Sequence, residues 1–547
     1  MADVEGIIRR FNRLKSRRDG YWLALWRQVR HYCMPDQEDT LPKGAETGLA
    51  LFDTTAIAAR EHLASGMYSW MAPGDRRWFK VQSADRDLSE TGEVADWFAL
   101  ATDCLEAELA SSNWAGELLK SLNDLACGLD AVIYCEDGGA ASALAFRSYP
   151  VETVCYAVDE RDRLDTVLRE FELTARQCLQ RFGESCPAEV RDAAESQDRC
   201  DEARSLLHAV MPREVVMPEK PGAAHMPYLS LYIDLKTKTV LDESGYEEMP
   251  YAVCRFRKSN REQYGRGPGI DALPEIRMLN AMRECFLRNC EHAADPPWMV
   301  PDGSLASRNF NKGPGGIIFY RPAMSGAKPE PVPRGNSVQL DAQVIDAERQ
   351  RVRERFFWDV FDPLGDLRNM TAQEAVIRNN AKMVPFAPIA GNVHTDLFGP
   401  LIQRAFGVCL RRGLLPPPPP ALLESPGYKV EFVSKIALSL KRQSAQGWVS
   451  TEASIQGLAA ADPSVLDNFD RDRIARDLAE ANGCEADWLV PVDERDQARA
   501  ERAQAQAQAA QAQMLSDMAG KAGQLARAPE PGSPLGMMMG GIQEAMP

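Results

Sequence analysis

Six histidines, thirteen cysteines and a surplus of carboxylates are the side chains in this 547-residue chain with the types to do chemistry. A metal site needs imidazoles or thiolates close enough to reach one ion at about 2.0–2.3 Å, which on a helix means neighbours on one face. His31, His62, His208, His225, His292 and His394 never fall at that spacing, and no C-x-x-C occurs. Scattered cysteines in odd number fit reduced thiols, and the nearest pair, Cys285 and Cys290, reads as core. The chain has no GxxxxGK[ST] phosphate loop and no HExxH. LASGM around Ser65 is not a nucleophile elbow, and YGRGPG lacks the dinucleotide register. Acidic runs such as DERDRLD read as solvated turns. The expectation is no catalytic residue, no metal, no cofactor and no enzyme.

With no chemistry to position, the informative elements are long helices. Ile270, Leu273, Ile276, Leu279, Met282, Phe286, Cys290 and Ala293 recur at three- and four-residue steps, placing one apolar stripe along a helix with Asp271 as N-cap and Pro274 in the first turn. A second pattern, LDAQVIDAERQRVRERFFWDVF, sets Val344, Val352, Phe356 and Val360 on one side. Between them PPWMVP, GPGGIIFYRP and KPEPVPRG read as short strands broken by Pro and Gly. A helix that leaves a body, a small tip and a returning helix make a stalk. Arg349, Arg351, Arg353 and Arg355 lie among Asp346, Glu348, Glu354 and Asp359. A salt-bridged surface between neighbouring subunits is favoured there over contact with an outside partner.

Around this stalk the chain shows further texture. Residues 1–125 are mainly helical, opening with a basic amphipathic helix and carrying Trp22, Trp26, Trp70, Trp78 and Trp97 as core. AVIYCEDGGAASALAFRSYP and TVCYAVDERDRLDTVLREFEL each read as two strands around a turn, and Thr174 caps a helix that Gly183 ends. Strands follow at LLHAVMPREV and YLSLYIDL. Thr371 and Glu374 form a capping-box pattern ahead of a break at 381–395, where Pro385, Pro388 and Gly391 forbid a continuous helix. YKVEFVS is a strand candidate after Pro416 to Pro420. Short helices capped at Ser450 or Thr451 and at Asp470 precede an alanine-rich helix from Asp493 to about Ala528 and a flexible tail.

Several stretches, in order, resemble the head-to-tail connector (portal) proteins of short-tailed double-stranded DNA phages. They are WRQVRHYCMP with Trp26, Tyr32 and Pro35; LFDTTAIAAREHLASGMYSWMAPGDRRWF; LDTVLREFELTARQCLQRFG; ESGYEEMPYAVCRFRKSNREQYGRGPGIDALPEIRMLN; the helix–tip–helix; and MTAQEAVIRNNAKMVPFAPIAGNVHTDLFGPLIQRAFGVCLRRGLLPPPP. The resemblance covers roughly residues 7 to 440. It implies an α+β portal-type subunit with an α/β wing, a two-helix stem, a small α/β clip and a helical C-terminal crown. Residues 1–260 would be the wing (helical 1–125, strand-rich 126–260), 261–293 the first stem helix, 294–338 the clip and 339–365 the second stem helix. Residues 366–440 would hold a helix, the tunnel loop and the return to the wing, 441–528 the crown, and 529–547 the flexible tail.

The same resemblance implies a function. Twelve copies would form a ring at one capsid vertex, the channel for packaging by a terminase motor and for DNA exit, and the platform for the tail. Lys382, Met383, Phe386, Asn392 and His394 would belong to the tunnel loop facing DNA, and Trp298, Ile317, Phe319 and Tyr320 to the docking surface of the clip. The implied partners are other copies of the chain, the terminase large subunit, a tail adaptor, capsid and scaffolding proteins, and double-stranded DNA passing through without sequence specificity. The implied location is the virion, with host cytoplasm during assembly. The alternative is a non-portal ring or adaptor of the virion neck, although such adaptors are shorter and lack a stalk.

Composition is compatible with this. At 45% hydrophobic and 26% charged residues the chain is ordinary for a globular protein, with room for three or four domain-sized units. No run of 18 apolar residues and no signal-peptide core is present, so no membrane partner is expected. The net charge of −16 disfavours tight DNA grip, which needs Lys and Arg against phosphates; taken alone it reads as favouring solubility, and it also suits a wall that lets DNA pass.

Overall fold

Ile7, Phe11 and Leu14 share one side of a helical spiral and Arg9, Arg13 and Arg17 the other. In the computed structural model of the protein they form the helix Val4–Asp19, which begins where the Asp3 carboxylate accepts the Gly6 amide. The structure describes residues 3–37, 51–74, 76–85, 92–139, 142–213, 225–301, 313–320, 328–332, 338–362, 382–424, 427–433, 447, 451, 454–455, 468–482, 489–490 and 492–525. It is an α+β fold in two units. The larger comprises Met1–Gln82, Phe98–Pro417 and Lys429–Gly483, and the smaller Ser83–Trp97, Pro418–Tyr428 and Cys484–Pro547.

The strands follow in chain order as β1 (Phe79–Ser83), β2 (Ala131–Asp137), β3 (Leu144–Tyr149), β4 (Val154–Val158) and β5 (Leu164–Thr174). After two short helices come β6 (Ala203–Pro212), β7 (Tyr228–Asp234), β8 (Thr239–Tyr246) and β9 (Tyr251–Cys254). Strands β4 to β8 make an antiparallel sheet in sequence order, and β3-β2-β9 make a second. The period of two sorts the large sheet's faces. Leu168, Leu207, Ala209, Leu229, Leu231 and Ile233 pack under the N-terminal helix. Leu206, Tyr232 and Leu241 point the other way, against the helices Ala175–Phe182 and Ala188–Glu195. Thr174 opens the first of these with a complete capping box, and Gly183, at φ 55°, ends it.

On that second face lies a polar core. His208 is buried with its ring stacked on Tyr232 at 4.2 Å, Nδ1 2.8 Å from the Tyr251 hydroxyl and Nε2 3.1 Å from Ser230. Burial holds its pKa well below the ordinary histidine value, with the positive charges of Arg169 and Arg181 acting in the same direction. A neutral imidazole therefore serves as a hydrogen-bonding brace. Helix Trp114–Cys127 covers the three-stranded sheet, and inside the helical layer Arg30 is paired with buried Glu152 and, at 3.2 Å, with Asp124.

The smaller unit's main element is the helix Val492–Leu525. Its side chains from 499 to 514 are all exposed, as an alanine-rich sequence with no bulky stripe requires. In the larger unit Asp470 caps Arg471–Asn482 through the Arg473 amide. Thr371, Glu374, Ser450 and most of residues 452–467 lie outside the described residues. Among the described residues no helix is long and apolar enough to cross a membrane.

Candidate functional site: stem, tip and the segment after the stem

The stem begins with the hairpin β10 (Arg257–Ser259) and β11 (Glu262–Arg266), which feeds a turn of helix, Pro268–Asp271, and then the helix Leu273–Ala294. The glycines of YGRGPG make this entry close to the body. A Cβ on Gly267 would stand 2.7 Å from the Gly128 Cα, and Gly128, at φ 89°, ends helix Trp114–Cys127. The Gly265 amide donates to the buried carboxylate of Asp130, which also accepts from the Tyr156 hydroxyl at 2.7 Å. Burial outweighs those bonds and pushes the Asp130 pKa up to about 7. The motif is a packing device. Asp271 pairs with Arg257 and sits inside the preceding turn, so Ala272, and not Asp271, is the N-cap residue of the long helix.

The returning helix Val338–Arg355 packs against Leu273–Ala294. Its buried positions are Ile345, Glu348 and Val352, followed by Phe356. Val344, placed on the apolar side from sequence, is 41% exposed. At about 100° per residue, Ile345 lies about 20° from Val352 around the helix and Val344 about 80° away, so one step decides the face. All four arginines of the run have partners in the same chain. Arg349 donates twice to Asp53, at 2.7 and 2.9 Å, and once to Asp346. Arg351 pairs with Glu348, Arg355 with Glu275, and Arg353 lies over the Trp358 ring. Burial would raise the Asp53 pKa, but bonds from Thr55 and Arg349 prevail and hold it below the carboxylate norm. These pairs lie within one chain.

The tip is a three-stranded sheet of β12 (Trp298–Pro301), β13 (Ile317–Tyr320) and β14 (Glu330–Pro331), in the order β13-β12-β14. β12 runs parallel to β13 and antiparallel to β14, with Trp298 opposite Ile317 and Pro301 opposite Tyr320. Gly315, at φ 67°, turns the chain so that its amide donates to the Asp295 carbonyl. So small a sheet leaves apolar surface uncovered. Trp298 and Ile317 are each 45% exposed, and Phe319 41%.

After the second stem helix, Phe357 adopts φ 57° before the turn Trp358–Phe361. Phe361 overlies Gly66, where a Cβ would overlap its ring, and meets Phe386 edge-on at 5.2 Å. From Lys382 to Arg411 the chain is helical throughout, which differs from the expected break. The prolines are accommodated because each lies at the start of a new pitch. Pro385 opens the 3-10 turn Val384–Phe386, Pro388 the helix Ala387–Val393, and Pro400 the helix Gly399–Arg411, with a π-turn His394–Phe398 between the last two.

Of the residues named for a tunnel loop, Met383 and Phe386 are buried, and the Asn392 amide donates to the Phe256 carbonyl. His394 stacks on Phe432 of β15 (Tyr428–Phe432) at 4.3 Å, and burial pushes its pKa down to about 4. It carries no positive charge at neutral pH. Val384, Pro385, Pro388 and Gly391 are the exposed side of this segment. Among the described residues no group of three His, Cys, Asp or Glu side chains could hold a metal ion.

The chain matches the family described as bacteriophage head to tail connecting protein over residues 4–490. It is 26% identical over 506 residues to a protein named probable portal protein of Bordetella phage BPP-1, covering 89% of this chain and 88% of that one. It is 25% identical over 514 residues to the portal protein of Salmonella phage epsilon15, covering 91% of each. The chain belongs to the bacteriophage head-to-tail connecting protein family.

Proposed function

We infer that this chain is the portal subunit of a double-stranded DNA phage, forming a ring of twelve at one capsid vertex. DNA enters through the ring under a terminase motor and later leaves through it, and the tail docks on its outer end. The observation that carries this reading is a two-helix stem ending in a sheet whose Trp298, Ile317 and Phe319 are left open, in a chain of the connector family. Such a surface calls for neighbours and docking partners. Residues 1–260 serve as wing, 261–293 and 339–365 as stem, 294–338 as clip and 441–528 as crown. The family is structural, so ATP hydrolysis belongs to the terminase. A neck adaptor is the weaker reading, because both relatives named portal are matched along about nine-tenths of their length.

Closed rings form from two different complementary faces on each subunit. Purified protein is expected to sediment near the mass of twelve 60.6 kDa chains and to show a channel and a stalk in negative-stain class averages. A stable monomer over a range of concentration and salt would overturn the reading. Deleting 303–315 should leave the ring and abolish motor or adaptor docking. The segment at Lys382 is assigned to the channel constriction, with Met383 and Phe386 as its support, Asn392 tying it to the wing, and Lys382 as the cation near DNA. The variant Lys382→Ala should assemble yet impair packaging or DNA retention, and normal packaging by it would remove that assignment.

A further inference from the structure

The N-terminal helix runs against the charge of the rest of the chain. Val4–Asp19 holds six basic residues (Arg9, Arg10, Arg13, Lys15, Arg17 and Arg18) and two acidic ones (Glu5 and Asp19), a local charge of +4 in a chain of net −16. Its apolar side is spent on the large sheet through Ile7, Phe11 and Leu14. Lys15 and Arg18 are also used, by Glu170 at 2.5 Å and by Asp19 at 2.9 Å. The opposite face exposes Glu5, Arg9, Asn12, Arg13, Ser16 and Arg17. Arg9 reaches Asp3 at 3.9 Å, while Arg13 and Arg17 meet no carboxylate among the described residues. Arginines four apart on one face repel and cost the helix a few tenths of a kcal/mol, so the stripe is not explained by the helix itself.

We propose that this face binds the phosphate backbone of duplex DNA, at a site separate from the channel and without sequence preference. Three observations select that ligand over an acidic protein. Past Glu5 at its N-terminal end, the exposed set is Arg, Asn and Ser, which are side-chain types that contact phosphate. It contains no aromatic or aliphatic anchor, whereas a protein interface is built around one. Arg9, Arg13 and Arg17 succeed one another at about 6 Å, four residues at about 1.5 Å each. Over the roughly 12 Å they span, a duplex offers about seven charges, one per ~1.7 Å of its axis. The site is preformed, because the helix is fixed by its buried face. Binding then costs little ordering and is governed by counterion release.

The test uses the assembled full-length protein and a covalently closed circular duplex, which cannot thread a closed ring, so failure here is distinct from failure of the channel reading. Each copy that engages three phosphates should lose about forty-fold in affinity between 50 and 200 mM salt, a log–log slope of about −2.7. The variant Arg13→Gln/Arg17→Gln should flatten that slope by about 1.8 per engaged copy, and Arg13→Lys/Arg17→Lys should keep it. Sedimentation of each variant checks that the ring is intact, and should the double variant fail to assemble, Arg13→Gln alone carries the same reading at half the change. No binding of the closed circle at 50 mM salt overturns the proposal. So does an unchanged slope in the Gln variant, or a Gln variant that keeps DNA binding but loses a protein partner.

Discussion

Gly267 lies backbone to backbone on Gly128, with 2.7 Å between the Cα of Gly128 and the place a Cβ on Gly267 would occupy. Real Cβ atoms do not stand that close, and main chain on both sides leaves no flexible end to yield. The contact joins the entry of the first stem helix to the end of helix Trp114–Cys127, so it sets where the stem leaves the body. Gly267→Ala should therefore destabilise the chain by about 2–4 kcal/mol, the range of a forced backbone shift. Gly128→Ala adds the strain of φ 89° to the same clash and should cost at least as much. Urea unfolding of the two variants measures this, and a loss below about 0.5 kcal/mol would show that the two segments separate freely.

The second stem helix is held to the body by Arg349 on Asp53, whose carboxylate is 4% exposed. Removing the arginine leaves that carboxylate with the amide and hydroxyl of Thr55 as its remaining donors. Arg349→Ala should cost about 2–3 kcal/mol, less than a fully buried pair because Arg349 itself is partly solvated. Arg355→Ala, which removes an exposed partner of Glu275, should cost under about 1 kcal/mol. Equal effects from the two variants would mean that the Asp53 pair does not anchor the stem.

What the sequence disclosed followed the range of the forces involved. The Thr174 cap, the hairpins β2–β3 and β4–β5 and the three short tip strands were legible, because each rests on neighbours within a few residues. The face of the second stem helix was not, since Val344 and Ile345 are equally apolar and only the body decides between them. The helical path through Pro385 and Pro388 was misread for a related reason. Proline forbids a helix interior, but it permits the start of a new pitch, and periodicity does not tell the two apart. Neutral His394 depends on Phe432, which the chain brings in from a distant strand. Gly267 looked like part of a helix entry, and nothing local named Gly128 as its counterpart.

His394 makes stability depend on pH in a definite direction. An ordinary histidine takes its proton near 6.5, and in the fold this one does so near 4. Between those values the unfolded chain binds a proton that the folded chain refuses. Its contribution is thus whole above pH 6.5 and is lost as the pH falls toward 4, by at most about 3 kcal/mol. His394→Phe keeps a ring on Phe432 and removes the titration, so the drop in unfolding free energy from pH 7.5 to 4.5 should shrink by up to that amount. His208 is unchanged in both proteins and cancels. Identical pH dependence in the two would show that His394 is solvated.

The tip offers the sharpest separation of assembly from docking. Trp298 and Phe319 expose nearly half of their surface on a sheet too small to bury them, while the stem and body pack through residues elsewhere. If the tip is where the motor and then the tail adaptor bind, a large aromatic near its centre should act as an anchor worth about 2 kcal/mol or more. Trp298→Ala should then weaken docking about thirty-fold, and Trp298→Asp with Phe319→Asp should abolish packaging by burying charge against the partner. Both variants should still sediment as rings, since neither side chain supports the body. Rings that dock and package normally would place docking on another surface, and failure to form rings would mean that neighbouring copies, not outside partners, cover these aromatics.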